Sequence, residues 1–254
     1  MTQTQQVVRL LKSIETGEAD AVSIINPLKY IQHNLGVADG LAGFGALLQQ
    51  LPPGSARVNT VRAFEDGDFV VTHTDYDFFG PKIGFDIFRF EQGRIVEHWD
   101  NLQETAGPNA SGHTMVDGPV AAEDHAATPA NKALVRTFVE TVLVGRAFDT
   151  LGRFIESEHY TQHNPHIADG LGGLAAALAA MAASGVTMRY DRVHAVLGEG
   201  NFVLTVSDGS FGGVPTSFYD LFRVENGRIV EHWDTLESIP VRDAWKNANG
   251  KFGF

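Results

Sequence analysis

The sequence predicts an α+β fold built twice, with helices first and an antiparallel sheet after them in each of two tandem domains. Three observations carry this. The octapeptide Gly-Arg-Ile-Val-Glu-His-Trp-Asp occurs unchanged at Gly93–Asp100 and at Gly227–Asp234. Each half opens with apolar residues spaced i, i+3, i+4, i+7: Val7, Leu10, Leu11 and Ile14, then Val135, Phe138, Val139 and Val142. That is the period of an amphipathic helix. Each half continues in β-branched and aromatic runs broken by turn signals such as Glu65-Asp66-Gly67-Asp68 and Glu91-Gln92-Gly93.

The repeat reaches further. Asp86–Gln92 answers to Asp220–Asn226, Tyr30-Ile31-Gln32-His33-Asn34 to Tyr160-Thr161-Gln162-His163-Asn164, and Ala38-Asp39-Gly40-Leu41 to Ala168-Asp169-Gly170-Leu171. A duplicated domain of about 110–125 residues is an ordinary size. We place the first domain at 1–106, a Gly/Pro/Ala/Ser-containing linker at 107–130, and the second domain with its tail at 131–254.

The first helix closes at Gly17, and its counterpart precedes Gly145. Short second helices are expected near Ala19–Ile25, stopped by Pro27, and near Phe148–Glu156. The Tyr-x-Gln-His-Asn segment reads as a short strand or extended turn. Asp39 and Asp169 read as N-caps of third helices at Gly40–Gln50 and Gly170–Ala183, the latter rich in alanine. Four strands follow in each half, near Arg57–Phe64, Phe69–Tyr76, Lys82–Phe90 and Arg94–Leu102, and near Val186–Leu197, Phe202–Phe211, Thr216–Val224 and Arg228–Leu236. The segment Val241–Phe254, with Trp245, Phe252 and Phe254, is expected to dock back.

The chain has 254 residues and a formal net charge of −12. That balance argues against nucleic acid and against anionic membranes. There is no cysteine, hence no thiolate chemistry. No signal-type apolar segment or long apolar run is visible, so a cytoplasmic protein is expected. A metal held by His33, His73, His98 and a carboxylate would suit zinc or iron, but no short-spaced ligand motif supports it. We expect neither metal nor cofactor.

The hairpin at Gly93 phases the candidate site. A three-residue loop, Glu91-Gln92-Gly93, pairs Phe90 with Arg94, Phe88 with Val96 and Asp86 with His98. Alternation then puts Asp86, Phe88, Val96, His98 and Asp100 on one face, and Ile87, Arg89, Ile95, Glu97 and Trp99 on the other. A two-residue turn would pair Asp86 with Trp99 instead. The second copy repeats the set as Asp220, His232 and Asp234. Two carboxylates favour the imidazolium form and burial opposes it, and a His in such a balance can titrate near working pH. The plainer alternative is a hydrogen-bonded network that stiffens the sheet. Along Tyr30–Asn34, either Tyr30, Gln32 and Asn34 or His33 faces inward. His73 has Val206 as its counterpart, and Phe44 has Leu174, so the two cavities should differ.

These motifs resemble the SnoaL-like branch of the nuclear-transport-factor-2-like superfamily, which includes polyketide cyclases, ketosteroid isomerase, scytalone dehydratase and limonene epoxide hydrolase. The resemblance implies two cone-shaped domains, each with three helices closing a curved sheet around a site, arranged as a pseudo-dimer through the outer sheet faces that carry Trp99 and Trp233. In ketosteroid isomerase the matching strand carries an acidic residue, where Asp86 and Asp220 stand here. Its general base falls near Asn34 or His33, so steroid isomerisation is not implied. The expected function is cofactor-independent acid–base chemistry on a small apolar carbonyl metabolite: aldol-type cyclisation or cleavage, isomerisation or dehydration. His98 and His232 would move the proton. Asp86 and Asp220 would orient the His or bond an oxyanion, and Asp100 and Asp234 would tune it. Tyr30, Gln32, His33, Asn34 and His73, with Tyr160, Gln162, His163 and Asn164, would line the sites. The alternatives are a non-catalytic small-molecule-binding module and an epoxide-type hydrolase. Expected partners are a small-molecule substrate and the chain's own other half, with further oligomerisation left open.

Overall fold

The computed structural model describes every residue except Pro53, Glu156 and Glu158. Its contacts divide the chain into two units, Met1–Thr105 with Pro240–Phe254, and Ala106–Ile239. The segment read above as a linker thus belongs to the second unit, and the tail belongs to the first.

In the first unit, Thr2 and Gln5 form a reciprocal capping box that opens α1 (Gln3–Thr16), and Gly17 closes it in the left-handed conformation. Val7, Leu10 and Leu11 form its buried stripe. After α2 (Ala19–Val22) and β1 (Ile31–Gln32) comes α3 (Gly40–Leu48), then β2 (Arg57–Asp66), β3 (Phe69–Asp77), β4 (Pro81–Glu91) and β5 (Arg94–Glu104). The sheet order is β1-β5-β4-β3-β2. All neighbours run antiparallel except β1, which lies parallel to β5. The core cluster between helices and sheet includes Val7, Leu10, Leu11, Tyr30, Phe88, Phe90 and Ile95.

The second unit repeats this plan. It contains α4 (Thr128–Phe138), a π-helical turn at Val139–Val144, a 3-10 segment at Phe148–Arg153, β6 (Thr161–Gln162) and α5 (Gly170–Ala183). Its remaining strands are β7 (Met188–Glu199), β8 (Phe202–Phe211), β9 (Val214–Glu225) and β10 (Arg228–Ser238), ordered β6-β10-β9-β8-β7. The expected helix end at Glu156 lies outside the described residues.

Two expectations of local structure need correcting. Asp39 and Asp169 stand at N-cap positions without making the side-chain cap. Their carboxylates instead accept from the backbone N–H of Gln32 and Gln162, at 2.9 Å each, and so pin the short strands. The β4–β5 hairpin uses a two-residue turn. Gln92 and Gly93 both have positive φ (48° and 74°), as do Asn226 and Gly227 (50° and 72°), which is the type I′ pattern. A bulge at Val96 then adds a residue back, giving Glu91↔Arg94, Phe90↔Ile95, Arg89↔Glu97, Phe88↔His98 and Asp86↔Asp100. Neither pairing considered above for Asp86 occurs, yet turn and bulge together preserve the parity. Asp86, Phe88, His98 and Asp100 share the inner face. Ile95, beyond the bulge, moves to the inner core rather than the outer face.

Candidate functional site

Parallel pairing of β1 with β5 sets Gln32 beside His98, and β6 sets Gln162 beside His232. The His98 ring is held at both nitrogens: Nδ1 lies 3.0 Å from Gln32 Oε1, and Nε2 lies 3.1 Å from Asp86 Oδ1. Gln32 Oε1 also accepts the Asn34 N–H at 2.8 Å, which identifies that atom as the oxygen. An oxygen acceptor at Nδ1 requires Nδ1 to carry a proton. Nε2 and Asp86 Oδ1 therefore hold one proton between them, on the imidazole or on the carboxyl. His232 repeats this arrangement, with Nδ1 at 2.9 Å from Gln162 Oε1 and Nε2 at 3.1 Å from Asp220 Oδ1. Burial opposes the charged form of His232. The Asp220 hydrogen bond and the charges of Asp234 and Asp220 outweigh it and raise its pKa.

The third member of each set is dressed differently. Asp100 Oδ2 takes the Asn34 amide at 2.5 Å. Its Oδ1 is buried, has no hydrogen-bond partner among the described residues, and lies 3.6 Å from the buried Lys251 Nζ. Asp234 has both oxygens on the Asn164 amide, at 3.0 and 2.7 Å. Burial, helped by the Asp220 charge, raises the Asp234 pKa.

In the first unit these groups open onto a cleft with about 560 Å³ of empty space, counting the part open to solvent. Tyr30, Gln32, Asn34, Asp86, His98 and Asp100 line its polar end, and Leu10, Leu11, Ile14, Phe44 and Leu47 line its apolar wall. The structure thus brings together Tyr30, Gln32 and Asn34 with the Asp/His/Asp set, but not His33 or His73. His33 points to the outer face, where it stacks on Trp99 at 4.7 Å and meets Glu97 at 2.9 Å. His163 does the same with Trp233 and Glu231, at 4.6 and 2.8 Å. His73 stacks on Phe85 on that outer face and meets Arg62 at 3.1 Å. Trp99 is covered within its own unit by His33 and by Phe254, the latter stacked at 4.5 Å. Trp233 donates Nε1–H to the Asp117 carbonyl at 3.0 Å.

One contributor escaped the sequence reading. Tyr76, on β3, donates to Asp86 Oδ2 at 2.7 Å, and burial beside that carboxylate holds its phenol pKa far up. In the second unit the register puts Gly209 at the corresponding place, opposite Tyr190, just as Tyr76 is opposite Val58. Tyr190, on β7, reaches Asp220 at 3.1 Å from this neighbouring strand. A bulge between Tyr190 and Arg192 brings the β7 backbone over Gly209, where a Cβ would lie 1.9 Å from the Arg189 carbonyl oxygen. A tyrosine cannot stand at 209, and the phenol arrives from next door. Room for Tyr76 comes from Gly84, whose added Cβ would lie 3.0 Å from its ring. The signal in the sequence was a tyrosine at the end of the strand that precedes the one carrying the acid.

Three ligand atoms within 4.8 Å of one another occur in each trio, Asp86/His98/Asp100 and Asp220/His232/Asp234, so either could chelate a cation. In each trio the His meets a carboxylate on one nitrogen and a glutamine oxygen on the other, a donor set that suits a proton relay.

Comparison with known proteins adds the following. The model of the SnoaL-like domain family matches residues 135–232. No curated protein matches the chain. Among solved structures, TsrD from Streptomyces laurentii is 18% identical, with 39% of this chain and 86% of that chain covered and a TM-score of 0.34. A SnoaL-like polyketide cyclase from Agrobacterium tumefaciens is 15% identical, with 42% and 91% covered and a TM-score of 0.34. An NTF2-like protein from Burkholderia xenovorans is 17% identical, with 42% and 86% covered and a TM-score of 0.36. Each spans about one of the two units.

Proposed function

We propose that this chain, SnoaL-like in its second half and repeating that architecture in its first, is an enzyme of acid–base chemistry on a small, apolar, carbonyl-bearing metabolite. The observation that supports it best is the proton held between His Nε2 and Asp Oδ1 in both units, with Nδ1 locked by a glutamine. A proton poised between two groups of this kind can be delivered to a carbonyl oxygen or taken from the adjacent carbon. In the first unit Asp100 Oδ1 stands beside that pair, buried and ion-paired with Lys251 at 3.6 Å, where it could also accept a substrate hydroxyl. The apolar wall would strengthen these interactions by excluding water. Aldol-type bond formation or cleavage, isomerisation and dehydration all use this step. The same reading takes the two halves as an intramolecular pseudo-dimer, for which light scattering should return the mass of one chain.

The test works with model compounds in place of the natural substrate. Small ketones and β-dicarbonyl compounds are incubated with the protein in D2O, and exchange of the α-hydrogens is followed by NMR. Exchange that falls by about 10²–10⁴-fold in the His98→Ala/His232→Ala double variant supports the reading. Exchange indifferent to both substitutions, or absent while the same compounds bind, would make the cones binding sites only.

A further inference from the structure

We propose a second site, in the second unit and outside its cone: a divalent transition-metal site formed by His113 Nδ1, His163 Nδ1 and the Asp117 carboxylate. Asp117 Oδ1 lies 2.7 Å from His163 Nδ1, and Asp117 Oδ2 lies 3.7 Å from His113 Nδ1. All three ligand atoms fall within 4.8 Å of one another. Ligand atoms around a tetrahedral zinc, each about 2.0–2.2 Å from the ion, sit about 3.3–3.6 Å apart, so the closest pair here must open and the outer atoms draw in as the ion binds. The Thr114 carbonyl oxygen, 2.8 Å from His163 Nδ1, accepts that nitrogen's proton in the metal-free chain, so an ion must release the proton and displace this bond.

The surroundings distinguish this group from an accidental cluster of charges. Each imidazole has its far nitrogen on a carboxylate: His163 Nε2 meets Glu231 at 2.8 Å, and His113 Nε2 meets Asp169 at 3.1 Å. A carboxylate behind each histidine fixes the ring and raises its basicity, and metal-binding histidines are regularly supported this way. Glu231 is itself held by Arg223 at 2.5 Å. Access is graded, with the His163 side chain 1% exposed and those of His113 and Asp117 33% and 43% exposed. The buried ligand would be fixed by the fold, and the other two can close on an arriving ion.

The first unit supplies an internal control. Residues 247–251 of the tail, Asn-Ala-Asn-Gly-Lys, echo residues 109–113, Asn-Ala-Ser-Gly-His. Asn247 donates to the Asn34 and Val37 carbonyls as Asn109 donates to those of Gln162 and Ile167. His33, the counterpart of His163, takes a tail carbonyl on Nδ1 in the same way, from Gly250 at 2.7 Å. Docking this segment therefore requires the asparagine and one histidine. It does not require His113, whose place is taken by Lys251. His113 is thus peculiar to the second unit, where it lies beside Asp117 and the His163 nitrogen that faces the segment. The ligand set of two imidazoles and a carboxylate suits zinc and its neighbours in the first transition row rather than calcium or magnesium. An ion there would clamp the segment onto β6, whose Gln162 orients His232.

The experiment uses the full chain, freed of metal by chelation, with cobalt(II) as the probe and zinc as competitor. Visible absorption from one bound cobalt, displaced by zinc, is expected for the wild type. Zinc at a hundredfold excess over its Kd should raise the melting temperature by about 5–10 °C. His113→Lys and Asp117→Asn should abolish both effects, and Asp169→Asn should weaken binding by about 10–100-fold. Asp117→Asn keeps the main-chain carbonyl that accepts from Trp233, so near-UV dichroism can verify that it folds. The His98→Ala/His232→Ala double variant should bind cobalt as the wild type does. Loss of the signal in that double variant, its persistence in both His113→Lys and Asp117→Asn, or no uptake by the wild type would each overturn the site.

Discussion

Asp86 and Asp220 each carry a histidine and a tyrosine, and the value of the phenol can be measured. Removing the hydroxyl with Tyr76→Phe deletes a 2.7 Å bond to a buried carboxylate. The expected loss is about 1.5–3 kcal/mol of stability in the first unit, read from urea unfolding. His232 provides a pH test in the second unit. Its pKa is raised in the folded state, so its contribution is complete below the ordinary imidazole value and disappears as pH rises through the folded value. The raised Asp234 pKa acts with the same sign. The second unit should lose stability from about pH 6.5 upward, and His232→Phe should flatten that slope. A second unit that grows more stable over this range would contradict the assignment.

At the scale of elements, much was legible because period-2 alternation depends on parity and not on pairing. The hairpin turn was misread, yet the inner set Asp86, His98 and Asp100 survived because turn and bulge offset each other. Ile95 was misplaced because it sits on the turn side of that bulge. His33 was illegible for a different reason. β1 has only two residues, and its phase is set by its parallel partner, which puts Gln32 opposite His98 and turns His33 toward Trp99. No local pattern encodes that choice. His73 went astray because a buried outer face looks, from sequence, like a buried inner one. The second sheet has its own constraint at Gly209. Gly209→Ala would force a Cβ against backbone atoms, at 1.9 Å from the Arg189 oxygen. We expect a loss of several kcal/mol, on the scale of severe core overpacking. Hydrogen exchange should rise first along β7 and β8. Gly45→Ala, in α3 with nothing within 4 Å, should be neutral or slightly stabilising.

At the scale of the molecule, duplication was plain from the octapeptide, and the division of the chain was not. The asparagine-glycine echo between residues 109–113 and 247–251 was present in the sequence, but composition alone read the first as linker and the second as tail. Deleting residues 240–254 should uncover Trp99, remove Lys251 from beside Asp100, and free the carbonyls that Asn247 satisfies. The expected result is selective loss of the first unit, seen as faster hydrogen exchange in β1 and β5 with the second unit unchanged. Equal loosening of both units would contradict the assignment of this segment to the first.

That assignment also sets an order in time. The first unit is discontinuous in sequence, with the whole of Ala106–Ile239 inserted between its two pieces. On the ribosome, residues 1–105 emerge first, yet the aromatic partner of Trp99 is made only after the entire second unit. At 5–20 residues per second the wait is on the order of ten seconds. The half that is synthesised first is therefore the half that is finished last, and a released chain ending at Ile239 would carry one completed unit and one still open at its tryptophan.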